Sequence, residues 1–381
     1  MGAPLIVETC YVDEIIKHPN ADRLDIVKVK GWYCIVAKDS IQFSDLIVYI
    51  PIDSVIPDKL ERIVFADSKI KPENGRIRTI KIRGSISQGL VIPVHTLKDF
   101  YDMPLQPGWD VKDLLGITKF EPKEQAPYTV KNGHQASKKQ INPNFRKYTD
   151  INHLKNYPDI FEDDEEVIIT EKIHGTNFRA GYVPIYAPTF FKRMIKKIFS
   201  FFNKKNFKYP GYEFVFGSHN IQLQEKNKKA KRSNIKHFKK NVYEEIVDKY
   251  NLREILKPGE VIYGEIYGAN IQKNYDYGLK NDIDLVVFDL MRNGEYQDFS
   301  EVIYFSFINS INFVPIIKNE LVKYLNFDEF VSGPSTLCPD QKVREGIVVR
   351  PIKEKKSHMG RIILKYINPE YLLNKNNTDW H

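Results

Sequence analysis

Apolar and polar residues alternate with a period close to two along the first third of the chain. The pattern runs through LIVETCYV (Leu5–Val12), LDIVKVKGWYCIVA (Leu24–Ala37) and LIVYIPI (Leu46–Ile52), with turn residues between them. Alternation sends successive side chains to opposite faces of a strand. With no long helical period among these stretches, residues 1–118 predict a small all-β barrel. Between Glu121 and Lys147 the periodicity disappears and Pro, Asn, Lys and Gln take over. That stretch predicts a linker or extended surface loop, which places the domain boundary at 119–150.

Beyond residue 150 the pattern changes. Tyr243, Ile246, Val247 and Tyr250 recur at helical spacing within Val242–Leu256, and Pro258-Gly259 follows as a stop signal. Around this helix stand strand candidates: EVIIT (Glu166–Thr170), EVIYGEIYG (Glu260–Gly268), DIDLVVFDL (Asp282–Leu290), EGIVVRP (Glu345–Pro351) and GRIILKY (Gly360–Tyr366). Residues 151–381 therefore predict a second domain of mixed α and β structure, and 381 residues suffice for two separate cores.

Composition adds a preference for anionic partners. Lys and Arg outnumber Asp and Glu 57 to 49, a formal net charge of +8 with pI near 9.0. Two stretches concentrate this charge. Phe190–Lys208 mixes aromatics with lysines and predicts an amphipathic surface helix, and Lys226–Lys240 could track a phosphate backbone or form a solvated loop. Cys10, Cys34 and Cys338 are far apart and lack metal-ligand spacing, which fits a reducing compartment. No apolar run approaches the roughly 18 residues of a membrane span. A soluble intracellular protein, cytoplasmic or nuclear and monomeric, is the expectation.

The candidate chemistry lies in a series of short motifs in the second domain. TEKIHGTNF (Thr170–Phe178) runs a strand into a Gly-containing turn and leaves Lys172 at the strand end. GSHN (Gly217–Asn220), YGEIYG (Tyr263–Gly268), VVFDL (Val286–Leu290), EGIVVRP and ILKY (Ile363–Tyr366) follow in order. A lysine three residues before a glycine is common by chance. The ordered set resembles the covalent nucleotidyltransferase superfamily of ATP-dependent ligases and capping enzymes, and KIHGTNF is most similar to the nick-sealing and editing RNA ligases. The fold class that this resemblance implies is α+β, an OB-type barrel followed by an ATP-grasp-like nucleotidyltransferase domain.

What the resemblance implies residue by residue is consistent with the chemistry such an enzyme needs. Lys172 would attack the α-phosphorus of ATP, so cations or desolvation must favour its neutral amine; Mg²⁺ or Mn²⁺, Lys365 and Arg350 are the candidates. Glu345 would position the metal ion, and Lys365 would stabilise the charge of the transferred phosphate. Glu265 would hold the ribose hydroxyls, Phe288 would stack on adenine, Glu171 and Ile173 would read adenine through backbone groups, and Asn177 would contact the phosphate being sealed. This sequence departs from the family pattern at three places. His174 stands where many members have a metal-proximal Asp, His219 follows Ser218 where a number of ligases have Arg, and the last motif lacks its paired lysine, leaving Lys365 alone or with Arg361.

In the first domain, KHPNADRL (Lys17–Leu24) and IRGSISQGLVIP (Ile82–Pro93) resemble the OB-type tRNA-binding module. Such a barrel binds oligonucleotides with basic and aromatic side chains on an open strand face; Lys28, Lys30, Trp32, Lys81 and Arg83 are candidates. DNA ligases and capping enzymes carry a further barrel after the last motif, for which Tyr366–His381 is too short. The expected activity is joining of RNA ends, in a nicked duplex or a tRNA, through lysyl-AMP. The alternative is a catalytically inactive RNA- or tRNA-binding protein that keeps the ligase fold.

Overall fold

The computed structural model describes residues 5–66, 68, 70–120, 142–186, 194, 209–223, 241–374 and 377. Phe190–Lys208 (apart from Met194), Lys226–Lys240 and positions 121–141 of the expected linker lie outside the described residues. Two compact units emerge. One combines the described residues up to 120 with 150–160 and 364–377, and the other takes 142–149 and 161–363.

Contacts within the first unit account for the two added segments. His153 packs its ring 4.5 Å from that of Trp32. Asn152–His153 pairs in parallel with Leu364–Lys365. Arg76 and Arg78 donate to the carbonyls of Asn377 and Asn374.

The barrel itself uses short strands. Glu8–Cys10, Ile47–Ile50 and Leu90–Pro93 form one sheet, and Glu14–Lys17, Leu24–Val29 and Trp32–Ala37 another. Ile47–Ile50 reads as an unbroken apolar run because both its faces are covered. Val48 and Ile50 join one core cluster, Ile47 and Tyr49 the other. The hairpin turns are Lys30-Gly31 and Arg83-Gly84, with positive φ at both positions of each, the primed turn that suits the strand twist. A short helix, Asp58–Val64, is the one α-helical departure within the first 118 described positions.

In the second unit a seven-stranded sheet is centred on Glu260–Gly268 and Ile283–Arg292, with Thr176–Pro184 and Tyr212–Gly217 continuing it on one side. Beside it in sequence, Glu166–Lys172 lies between two antiparallel partners, Ile316–Leu321 and Gly346–Pro351. Being central, it is buried almost throughout, from Val167 to Glu171.

Two expected elements are divided. The helix expected over Val242–Leu256 breaks into Val242–Lys249 and Leu252–Ile255, because Asn251 enters the left-handed region at φ 49°. Asn tolerates that conformation, and the apolar spacing by itself does not reveal it. GRIILKY likewise divides into Gly360–Arg361, which pairs with Lys356–Ser357, and Leu364–Ile367.

Candidate active site

Strand register alone joins the first and fifth motifs. Lys172 stands opposite Gly346 in the antiparallel ladder, so the residue before Gly346 arrives beside the lysine side chain. Lys172 Nζ lies 2.6 Å from Glu345 Oε1, with 12% of the Lys172 side chain and 1% of Glu345 exposed. His174 Nδ1 is 3.8 Å from the other carboxylate oxygen. Burial lowers the His174 pKa and Lys172 lowers it further, against an opposing pull from Glu345, so the imidazole is neutral at pH 7.

The turn after Lys172 is shaped by close approach. A Cβ on Gly175 would stand 2.2 Å from the Ile266 carbonyl oxygen and 2.9 Å from Glu265 Cγ, closer than any real contact. Gly175→Ala is therefore expected to cost about 1–3 kcal/mol through forced backbone movement, read as a lower urea midpoint. A wild-type midpoint in that variant would contradict the packing.

Glu265, which faces Asn177 across the ladder, is the second acid of the cluster. Desolvation pushes its carboxyl up to about 8; Lys172 opposes this, Glu345 adds to it, and a hydrogen bond from the Gly175 N–H opposes it. The native state therefore keeps a proton that the unfolded chain releases near pH 4.5. Stability from this group is fully present below that value and declines as the pH rises towards 8, by at most about 1.4 kcal/mol per pH unit. Urea titrations at pH 5 and 8 should show this slope in wild type and a flatter one in Glu265→Gln. Equal slopes would refute the assignment.

Side chains that carry no motif signal hold the turn. Gln272 Nε2 donates to the Gly175 carbonyl at 2.6 Å, and the Tyr277 hydroxyl accepts the His174 N–H at 2.8 Å. The His174 ring stands edge-on to Tyr275, centroids 4.9 Å apart. Glu171 points away from the turn. Its Oε2 accepts the N–H groups of Thr336 and Leu337, which ties the strand to the segment leading to Glu345. Burial raises the Glu171 pKa, and hydrogen bonds from Ser335, Thr336 and Leu337 work against the rise. Ile173 is buried at 4% exposure.

Phe288 owes its placement to a bulge. The register opposite Tyr263 and Gly264 skips from Asp289 to Val287, leaving Phe288 as the extra residue. It is half-buried, with its ring 4.8 Å from Tyr148. Arg350 and Arg361 are both drawn to the neighbouring Asp289, at 3.5 and 2.8 Å, and to Glu354. Arg350 also donates to the Phe288 carbonyl. Burial alone would lower the Arg361 pKa, but Tyr148, Asp289 and Glu354 raise it above its ordinary value. These two arginines thus carry the buried counter-charge under Phe288.

The GSHN segment forms a tight turn. Ser218 Oγ accepts the Ile221 N–H, the Ser218 carbonyl accepts Arg179 Nε, and His219 is half-buried. Lys365 belongs to the first unit, buried on Leu364–Ile367 opposite His153. In that unit Trp32 is only 4% exposed and Lys30 pairs with Glu8, whereas Lys28 and Lys81 retain exposed surface.

Residues 165–367, more than half of the chain, match the RNA ligase family. The chain belongs to the RNA ligase family. Residues 7–94 of this RNA ligase match an OB-fold domain family. No curated protein matches the chain.

Among solved structures it is similar to Naegleria gruberi RNA ligase. An aspartate-to-alanine variant in apo form gives a TM-score of 0.69 at 22% identity over 98% of each chain. A lysine-to-alanine variant with ATP and Mn gives 0.69 at 22% over 98% of this chain and 100% of that one. A lysine-to-methionine variant with AMP and Mn gives 0.69 at 21% over 98% and 99%. At this identity the likeness establishes the fold: an OB-fold domain followed by a mixed α/β ligase domain. Among the described residues no helix is long and apolar enough to cross a membrane.

Proposed function

We propose that this RNA ligase is ATP-dependent and joins a 3′-hydroxyl to a 5′-phosphate through lysyl-AMP. The observation that carries this reading is the juxtaposition of Lys172 Nζ and buried Glu345 at the mouth of a turn bordered by Glu265 and Asn177. The Lys172 amine attacks the α-phosphorus of ATP and pyrophosphate leaves. The AMP then passes to the RNA 5′-phosphate as a phosphoanhydride, and the 3′-hydroxyl attacks that phosphate as AMP departs. The proton that Lys172 must shed has an acceptor 2.6 Å away in Glu345 Oε1.

The remaining roles follow the same reading. Glu265 holds the ribose, Phe288 stacks on adenine, and Glu171 and Ile173 offer backbone groups to the base. Asn177 contacts the phosphate being sealed, and Lys365 stabilises the transferred phosphate. Ser218 and His219 take a supporting place near the substrate. The donor set suits a hard divalent cation, Mg²⁺ or Mn²⁺. Glu345 supplies a carboxylate, and among the described residues no group of three or more metal-type side chains exists, so water and phosphate would complete the shell. When bound, such a cation neutralises phosphate charge.

The functional division we adopt is 1–118 for RNA binding, 119–150 as linker and 151–381 for catalysis. The motifs resembling a tRNA-binding module favour a structured substrate, a nicked duplex or a tRNA. The named catalytic residues come from one chain, so a monomer suffices. Three cysteines without a disulfide support a reducing cytoplasmic or nuclear setting. The test supplies ATP, Mg²⁺ and RNA with 3′-hydroxyl and 5′-phosphate ends, as a nicked duplex and as free strands. Joined RNA with release of AMP and pyrophosphate is expected. RNA binding without joining or protein labelling would favour the inactive binding protein.

A further inference from the structure

The segment from Ala269 to Gly278 follows the Glu265 strand and supplies none of the motif residues, yet it grips the nucleophile turn from two sides. Gln272 donates to the carbonyl of Gly175, and Tyr277 accepts the N–H of His174. One segment thereby fixes the acceptor of one residue and the donor of its neighbour, immediately beyond Lys172. The edge-on Tyr275 ring confines the His174 side chain between them.

The backbone that presents Tyr277 is unusual. Asn270, Asn274, Tyr277 and Gly278 all have positive φ, at 60°, 66°, 49° and 83°. Asn and Gly adopt this region readily, but a bulky Tyr does so rarely and persists there only where its surroundings over-determine it. Here they do. The Tyr277 side chain is 5% exposed, its ring lies 5.5 Å from Tyr267, and the Asp276 carboxylate accepts the Gly278 N–H.

We propose that Tyr277 is a positioning residue for lysine adenylylation, its hydroxyl orienting the turn so that Lys172 meets the α-phosphorus in line, with Gln272 assisting at Gly175. The proposal rests on the ligase reading above. It assigns the hydroxyl to the first chemical step only. Sealing of an RNA already carrying AMP on its 5′-phosphate does not use Lys172 as nucleophile, so it should be indifferent to small errors in the turn.

Tyr277→Phe keeps the ring and removes the acceptor. In single-turnover labelling of the full chain with α-labelled ATP and Mg²⁺, the maximal rate of lysyl-AMP formation should fall about 10- to 100-fold, the loss expected from misplacing a reacting group. The ATP concentration for half-maximal rate and the rate of sealing pre-adenylylated RNA should stay within about twofold of wild type. Gln272→Ala should show the same split to a smaller degree, and it decides the matter if Tyr277→Phe unfolds. An unchanged adenylylation rate, or an equal loss in both steps, would overturn the proposal. Wild-type protein that forms no lysyl-AMP at all would overturn the ligase reading instead, and this one with it.

Discussion

Lys172→Ala should form no lysyl-AMP and should fail to join RNA bearing an ordinary 5′-phosphate, a loss of at least about a thousandfold in the adenylylation step. The expectation follows from the position of the amine. It ends a strand flanked on both sides by antiparallel partners, and the ladder that pairs Lys172 with Gly346 brings Glu345 to it. Removing the ammonium also leaves a 1% exposed carboxylate without this partner, so some stability should be lost along with activity. The assay must separate the two effects. Sealing of pre-adenylylated RNA does so, because a folded variant retains that step while an unfolded one loses it. Covalent labelling of the Lys172→Ala protein by α-labelled ATP would sink the assignment of the nucleophile.

Asp289→Ala should be the most destabilising single change near the site, by about 3–5 kcal/mol in unfolding free energy, the usual result of stripping one partner from a buried charge network. Asp289 is fully buried and accepts from the Tyr148 hydroxyl at 2.8 Å and from Arg361 at 2.8 Å, with Arg350 at 3.5 Å. Without it, two buried guanidiniums share the single carboxylate of Glu354. Asp289 also follows the bulged Phe288, whose carbonyl is held by Arg350. A folded fraction of the variant should therefore bind ATP more weakly as the bulge relaxes. Urea denaturation followed by circular dichroism reads the first effect. A midpoint within experimental error of wild type would mean that the network contributes nothing net.

The positions of Arg350 and Arg361 show where residue type alone runs out. Arg350 lies within a motif and Arg361 just before one, and a cation at either place suits a phosphate partner equally well. Their pairing with Asp289 and Glu354 depends on residues up to 72 positions away in sequence, and no local period encodes it. Trp32 is a similar case. Its place in an alternating strand suggests an open nucleic-acid face, but the His153 ring covers it.

By itself the sequence determined the alternation that makes the barrel strands, the order of the motifs, and the types of side chain that the chemistry requires: Lys172, Glu265, Glu345 and Lys365. These are local or compositional facts, fixed by the period of a strand and by the reactivity of an amine or a carboxylate. Tertiary structure decided which of them meet. Antiparallel register placed Glu345 against Lys172 across 173 positions of chain, a close backbone approach made Gly175 obligatory, and a bulge set Phe288. It also decided that Tyr277, in a backbone conformation that its residue type disfavours, holds the turn. A left-handed tyrosine leaves no trace in hydrophobic periodicity, because its conformation is imposed by the packing around it rather than by its neighbours in sequence.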